Sequence, residues 1–506
     1  MSRRELGLAA VASASLLPFP AHAAHVFDVR DHGTRADGRT IDSPAINAAI
    51  DAASRAGGGT VLLPEGRYLC FSIRLKSGVT LMLAKGAVIE AADPAPHAGQ
   101  YDLPEAGIDQ LYQDFGHSHW HNSLIWGDDV SDVAITGEGL IHGVGLTRDG
   151  PGARWKKQSG ERPLSMKGMT DAEIAHLEPD AEAMRGRGNK AIAFRNGRNI
   201  RLSGFSILKG GHFAIIATGT QNLEISDLSI DTERDGIDLD CVRDVRVERC
   251  RVNSPNDDAI VVKSSFALGR AVASENILIR ACAVSGYDMG SMLDGTLRTT
   301  QQLAPDRDRV TGRIKLGTES NGGYRNIIIE DCSFTHCRGL ALETVDGGVM
   351  ENIVARRLTM KDVTTAPLFI RLGDRRRGPQ GTDIGAVRGV AISEIEASGI
   401  DHRYPAAIAG LPGRPVEDVT LKDIHLRYRG GGKLAASVAR PAELADAYPE
   451  PSMFGILPSW ALWVRHASGL RIDGFSAETE QPDERPAMLM EDVTKLTVSR
   501  PPLWRA

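Results

Sequence analysis

The stretch Asn199-Ile200-Arg201-Leu202-Ser203-Gly204-Phe205-Ser206-Ile207 returns in altered letters as Asn222-Leu223-Glu224-Ile225-Ser226-Asp227-Leu228-Ser229-Ile230, and again as Asp244-Val245-Arg246-Val247-Glu248-Arg249-Cys250-Arg251-Val252. Each copy opens on a turn-forming residue, with apolar residues at offsets one and three and a second apolar pair at six and eight. Further copies begin at Asn276, Asn326, Asn352, Gly389, Asp418 and Gly469. This pattern predicts two short alternating strands per copy, each with one apolar face, separated by a turn. The copies start 23, 22, 32, 50, 26, 37, 29 and 51 residues apart. The shortest interval is one coil, and the longer ones are coils carrying inserted loops. A coil cannot bury its apolar face alone, so coils must stack and each column becomes a ladder through the core. A propeller blade needs roughly 40 residues for its four strands, which excludes that alternative. The expected fold is all-β, a single-stranded parallel β-helix.

Outward from the repeat, Val61-Leu62-Leu63-Pro64-Glu65-Gly66 and Gly78-Val79-Thr80-Leu81-Met82-Leu83 read as earlier coils. Before them, Pro44 to Ala56 is expected to form a helix with Ser43 as N-cap and Pro44 in its first turn. Such a helix can cover the open end of the solenoid, an edge that otherwise invites association. Residues 147–188 lack the ladder and read as a long inserted loop. The first 23 residues combine the Arg3-Arg4 pair, an apolar run from Leu6 to Leu17 and an Ala21-His22-Ala23 cleavage site. They read as a twin-arginine export signal, which leaves residues 24–506 as a single domain in the periplasm or outside the cell. No stretch approaches the ~20 apolar residues of a membrane span.

The 506 residues are 42% hydrophobic and 25% charged, with a net charge of -6, which argues against a nucleic-acid partner. Cys250, Cys282 and Cys332 share one column of the repeat, where a small apolar side chain packs well, and their spacing fits no zinc site. Cys70, Cys241 and Cys337 fall outside that column. A monomer without metal or cofactor is expected.

The repeat frame also gathers charge. His212, Asp235 and Asp257 each lie at offset 13 of successive coils, and Asp258 follows at offset 14. Neighbouring coils lie about 4.8 Å apart, so three carboxylates crowd one patch. Like charges this close repel, and one of them is expected to hold a proton near neutral pH. A protonated carboxyl beside ionised ones is what cleavage of a glycosidic bond requires. Turn formation or calcium binding would also account for clustered aspartates. His212 reads as a substrate contact.

Three segments in order, Asp235-Gly236-Ile237, Asn256-Asp257-Asp258-Ala259-Ile260-Val261-Val262-Lys263-Ser264 and Arg313-Ile314-Lys315, resemble glycoside hydrolase family 28, the polygalacturonases and their relatives. The opening Val26-Phe27-Asp28-Val29 and the segment Tyr448-Pro449-Glu450-Pro451-Ser452-Met453-Phe454-Gly455 are similar to bacterial members. The resemblance implies a right-handed, pectin-lyase-like β-helix that hydrolyses pectin-type acidic polysaccharide with inversion. It implies Asp257 as general acid, Asp235 and Asp258 as the groups that activate water, and Arg313 and Lys315 as contacts to a sugar carboxylate. Two motifs depart from the family pattern. Glu233-Arg234-Asp235 stands where Asn-Thr-Asp is usual, and Gly286-Tyr287-Asp288 is read in the place of Gly-His-Gly. These departures shift the expectation toward a rhamnogalacturonan- or exo-type substrate.

Overall fold

The computed structural model describes residues 25–105, 112–113, 115–147, 170, 184–305 and 308–505. The expected export signal and nearly all of the expected 147–188 insertion lie outside them. Among the described residues, 36 strands join in one continuous sheet in which each strand pairs in parallel with its counterpart on the next coil. The chain is a right-handed parallel β-helix, and the expected fold is borne out.

One coil runs through Gln221–Ser226, Ser229–Asp231 and Asp235–Asp240, and the next through Arg243–Glu248, Arg251–Asn253 and Ile260–Ser264. The first two strands of each coil are those of the repeat. The third does not alternate simply. In Phe213–Thr218 two adjacent residues, Ala214 and Ile215, enter the core, while Phe213 and Ile216 pack on the outer face. That doublet hides the third strand from a period-two reading. In later coils the first two strands fuse into Val349–Val363, Ala386–Ile400 and Val416–Tyr428.

The residue that opens each copy has a physical reason to be Asn, Asp or Gly. Asn199, Asn222, Asp244, Asn276, Asn326, Asn352 and Asp418 all have φ between 53° and 59°, with Gly389 and Gly469 at 68° and 76°. Left-handed backbone costs an L-residue roughly 1–2 kcal/mol, least for Asn and Asp and nothing for Gly. Their amides also bond from coil to coil. Asn276 Nδ2 donates to Asp244 Oδ1 at 2.9 Å and Asn326 Nδ2 to Asn276 Oδ1 at 3.1 Å, while Asn222 donates to Asn199 and Asn199 to Asp132, both at 2.8 Å. The run breaks between Asn222 and Asp244, because a carboxylate has no N–H to give and Asn222 Oδ1 is left without a partner.

The N-terminal helix spans Ser43–Arg55 and buries Ile46, Ala49, Ile50 and Ala53 against the first coils. Its cap differs from the expected one. Asp42, not Ser43, precedes the helix, and no side chain caps it. The Asp42 carboxylate instead accepts from the backbone N–H groups of Arg35 and Ala36, and Ser43 Oγ accepts from Phe71 N–H at 3.2 Å. Both side chains tie the start of the helix to segments that flank the neighbouring strands. All six cysteines are buried thiols, and Cys282 Sγ lies 3.6 Å from the Val247 carbonyl of the preceding coil. At the 147–188 insertion, Thr147 N–H donates to Gly188 O at 2.9 Å, so the coil closes across the neck of the loop.

Asn276→Ala is expected to lower stability by about 3 kcal/mol, the sum of left-handed strain and two lost part-buried hydrogen bonds. Asn276→Gly keeps the backbone freedom and loses only the amide, so it should cost less. Urea unfolding midpoints of the two variants, read against wild type, separate the contributions. Equal loss in both would remove the conformational part of the explanation.

Candidate active site

The outer face of the third strands carries a cluster of buried charged residues. Asp235, Asp238 and Asp240 project from one coil, Asp258 and Lys263 from the next, and Arg313 and Lys315 from the coil after that, all of them buried. Gly236 is required beside Asp235. A Cβ there would lie 2.3 Å from Val252 Cγ1 and 2.5 Å from Ala259 O.

Strand pairing corrects the column read from offsets. Phe213 pairs with Asp235 and Ile237 with Ile260, while Gly236 N–H donates to Asp258 O. Asp235 therefore stands between Phe213 and Asp258, and Asp257 lies beside Arg234, with His212 one coil earlier in that second column. The cause is local. Ser229–Asp231 and Arg251–Asn253 pair in the register of the repeat, and the turn after Asn253 then carries one residue more than the turn before Asp235. The structure still brings the three aspartates together, with one oxygen from each within 4.8 Å of the others. Asp258 N–H donates to Asp235 Oδ1 at 3.2 Å and to Asp257 Oδ1 at 3.1 Å, so the backbone pins the group.

Cations surround the cluster. Lys263 Nζ donates to Asp235 Oδ2 at 3.0 Å and Asp238 Oδ2 at 2.6 Å, and it contacts His117 Nε2 at 2.7 Å. His117 arrives on a single helical turn, Phe115–Ser118, that packs on this face. Arg313 Nε donates to Asp258 Oδ1 at 2.8 Å, and the rest of its fork grips Glu450 through Nη2 and, at 3.0 Å, Nη1. Arg338 Nη1 also holds Glu450 at 3.0 Å. Lys315 Nζ lies 3.5 Å from Asp258, 3.4 Å from Glu343 and 3.3 Å from Tyr448 Oη. Arg234 donates to Asp257 Oδ2 from Nε at 3.2 Å and from Nη2 at 2.9 Å. Each carboxylate thus already has a cation of the chain beside it, which works against a further divalent ion among the three aspartates.

His212 is buried, its ring edge-on to Phe213 with centroids 4.5 Å apart. Tyr287 and Asp288 are not next to the aspartates in the stack. The Tyr287 carbonyl accepts from Asn253 Nδ2, and Asp288 accepts from Gln301 N–H and Thr300 Oγ, closing an inserted loop. On the coil that follows Asp258, the adjoining residue is Arg313, whose carbonyl accepts from Ala259 N–H. Lys263 and Glu450 stand inside segments that the sequence singles out, but nothing in one chain marks them as partners of Asp235 and Arg313. Arg234 is the departure from the first motif. His117 and Glu343 leave no trace in the repeat.

These contacts divide the aspartates. Burial and the neighbouring charge of Asp257 push Asp235 well above the usual carboxylate range, against the pull of Lys263. Burial also acts on Asp257, but Arg234, Lys263 and a hydrogen bond with Asp235 outweigh it and hold Asp257 well below that range. Burial likewise works against the Lys263 ammonium, and Asp235 and Asp238 overcome it. Glu343 is fully buried with neither carboxylate oxygen hydrogen-bonded. Burial raises it to about 7 despite Lys315 and Arg313. Because its folded value lies above the unfolded one, the folded state binds the extra proton between pH ~4.5 and ~7, and stability falls as pH rises through that window. Glu343→Gln is expected to abolish this fall and to exceed wild type at pH 8 by up to about 3 kcal/mol, with little difference at pH 4. Denaturant unfolding at both pH values checks it, and a parallel offset at both would refute the titration.

Comparison with known proteins agrees with this architecture. The family model described as "Rhamnogalacturonase A/epimerase, pectate lyase-like" matches residues 26–257. A protein of Vitis vinifera described as "Probable polygalacturonase" is 22% identical over 466 residues, covering 86% of this chain and 81% of that one. Among solved structures, a hyperthermoactive exopolygalacturonase from Thermotoga maritima superposes with a TM-score of 0.61 at 23% identity, over 84% of this chain and 92% of the other. A family 28 exopolygalacturonase from Yersinia enterocolitica gives 0.57 at 16% identity, over 95% and 78%. The resemblance carried by the motifs therefore extends over most of the chain, in sequence to a polygalacturonase and in fold to family 28 exopolygalacturonases.

Proposed function

We propose that this chain is a glycoside hydrolase that cleaves pectin-type acidic polysaccharide by general acid and base catalysis at Asp235, Asp257 and Asp258. The observation that carries the reading is the placement of three carboxyl oxygens within 4.8 Å of one another, with environments that push two of the groups in opposite directions. A proton shared within such a group can be delivered to a leaving oxygen while the ionised members activate water. Asp257 is the accessible member, with 29% of its side chain exposed, and it takes the role of acid toward the glycosidic oxygen. Asp235 and Asp258 lie one coil apart, and oxygens at this spacing can share one water at ordinary hydrogen-bond length. That water attacks the anomeric carbon from the face opposite the leaving group, giving inversion. The polygalacturonase named above supports an acidic galactan backbone as the first substrate to try.

Incubation with polygalacturonate and with rhamnogalacturonan, followed by sizing of products and NMR of the newly formed anomeric centre, tests the assignment. Saturated products with inverted configuration are expected. Retained configuration would overturn the water-activating role of Asp235 and Asp258, and unsaturated products made only in the presence of calcium would establish a lyase instead. Asp257→Asn should lower kcat roughly a thousandfold with the fold intact. Binding of substrate by both wild type and Asp257→Asn with no release of reducing ends by either would make the chain a carbohydrate-binding β-helix.

A further inference from the structure

Recognition of an acidic sugar needs a cation that the sugar can reach. Arg313 and Lys315 have side chains 1% and 2% exposed and are held by Asp258, Glu450 and Glu343. Lys263 is 7% exposed and held by Asp235 and Asp238. Arg234 differs from all three. Its side chain is 29% exposed, as is that of Asp257, on which its Nε and Nη2 both converge. Among the described cations that touch the three aspartates, Arg234 is the one open to solvent.

We propose that Arg234 is the specificity-determining cation of this site: it receives the carboxylate of an acidic sugar and, in turning to it, releases Asp257. The inference rests on the hydrolase reading above. A guanidinium fork matches a carboxylate edge to edge, so a uronate competes directly for the donors now on Asp257. Arg234 holds Asp257 toward its ionised form while burial favours the proton on Asp235, and oxygens of the two groups lie within 4.8 Å of one another. Once the sugar carboxylate takes the guanidinium, the main influence holding Asp257 ionised is gone. The proton then passes between these neighbouring groups, so one O–H bond breaks on Asp235 and one forms on Asp257. No charge enters or leaves the pair. Asp235 becomes a carboxylate beside the Lys263 ammonium, in the state a base needs, and Asp257 becomes the acid. A neutral sugar leaves Arg234 in place and Asp257 without a proton. Substrate charge therefore acts on kcat as well as on KM.

The test compares wild type, Arg234→Gln and Arg234→Lys on polygalacturonate and on the same polymer with its carboxyl groups reduced to alcohols. Binding of trigalacturonate and of its reduced analogue is measured by calorimetry, and thermal unfolding checks the fold. Arg234→Gln is expected to lose roughly 100-fold in kcat/KM on the acidic polymer, carried by KM because no fork receives the sugar carboxylate, and to gain kcat on the reduced polymer because Asp257 is no longer held ionised. Arg234→Lys, which keeps the charge without the fork, should retain part of the preference. An undiminished acidic preference in a folded Arg234→Gln, or equal loss on both polymers, overturns the proposal. If wild type cleaves neither polymer, the hydrolase reading has failed and calorimetry decides recognition alone. Selective weakening of trigalacturonate binding in Arg234→Gln then supports the role of Arg234, and unchanged binding removes it.

Discussion

Neighbouring coils of this solenoid meet at one inter-strand spacing, and hydrogen bonds between parallel strands set the register of every residue on the coil above. A side chain that faces the core on one coil must face it on the next, which produces the uninterrupted aliphatic columns of the interior. The same rule acts on the outer face of the third strand, where it stacks carboxylates on carboxylates. Charges that a globular fold would scatter are forced into contact. The chain answers by interleaving Lys263, Arg313 and Lys315 among them and by bringing Glu450 over from a distant segment to balance Arg313. Close-packed charge here is a consequence of topology, and the chemistry follows from how it is balanced.

That balance is uneven in a useful way. Asp235 is buried and backed by a single ammonium at 3.0 Å, whereas Asp257 is partly exposed and holds a guanidinium. Two carboxyl groups in contact cannot both ionise cheaply, and their surroundings decide which of them keeps the proton. An ion pair at a half-exposed position is more easily exchanged than one in the interior, where removing a partner strands a buried charge.

Much of this was legible in the letters. Asn222, Asp244 and Asn276 announce each coil because few other residues accept φ near 55°, and that preference is local enough to read from one chain. The gathering of Asp235, Asp257 and Asp258 followed from the same count. The pairing within the group did not, since one extra residue in the turn after Asn253 moves Asp235 from Asp257 to Asp258, and turn length leaves no periodic signal. Third strands such as Phe213–Thr218 were hidden by their inward doublet. Glu450 and His117 lie outside the repeat, where partners are fixed by folding in three dimensions and not by period. The Ser43 cap was misplaced for a related reason, because Ser43 Oγ serves the Phe71 N–H 28 residues away.

The closed neck of the insertion at Thr147 and Gly188 bears on how such a chain can change over generations. A backbone bond across the neck closes the coil locally, and Tyr101 N–H adds a second tie, to Gly186 O at 2.9 Å just inside the insertion. Changes of length confined between these ties leave the rungs of the ladder, and the aspartates on them, where they are. The segment that delivers Glu450 has no such liberty, because deleting it would strand the buried guanidinium of Arg313. Two loops on one scaffold thus evolve under different rules, one tied down at its neck and the other bound to the charge balance of the aspartates.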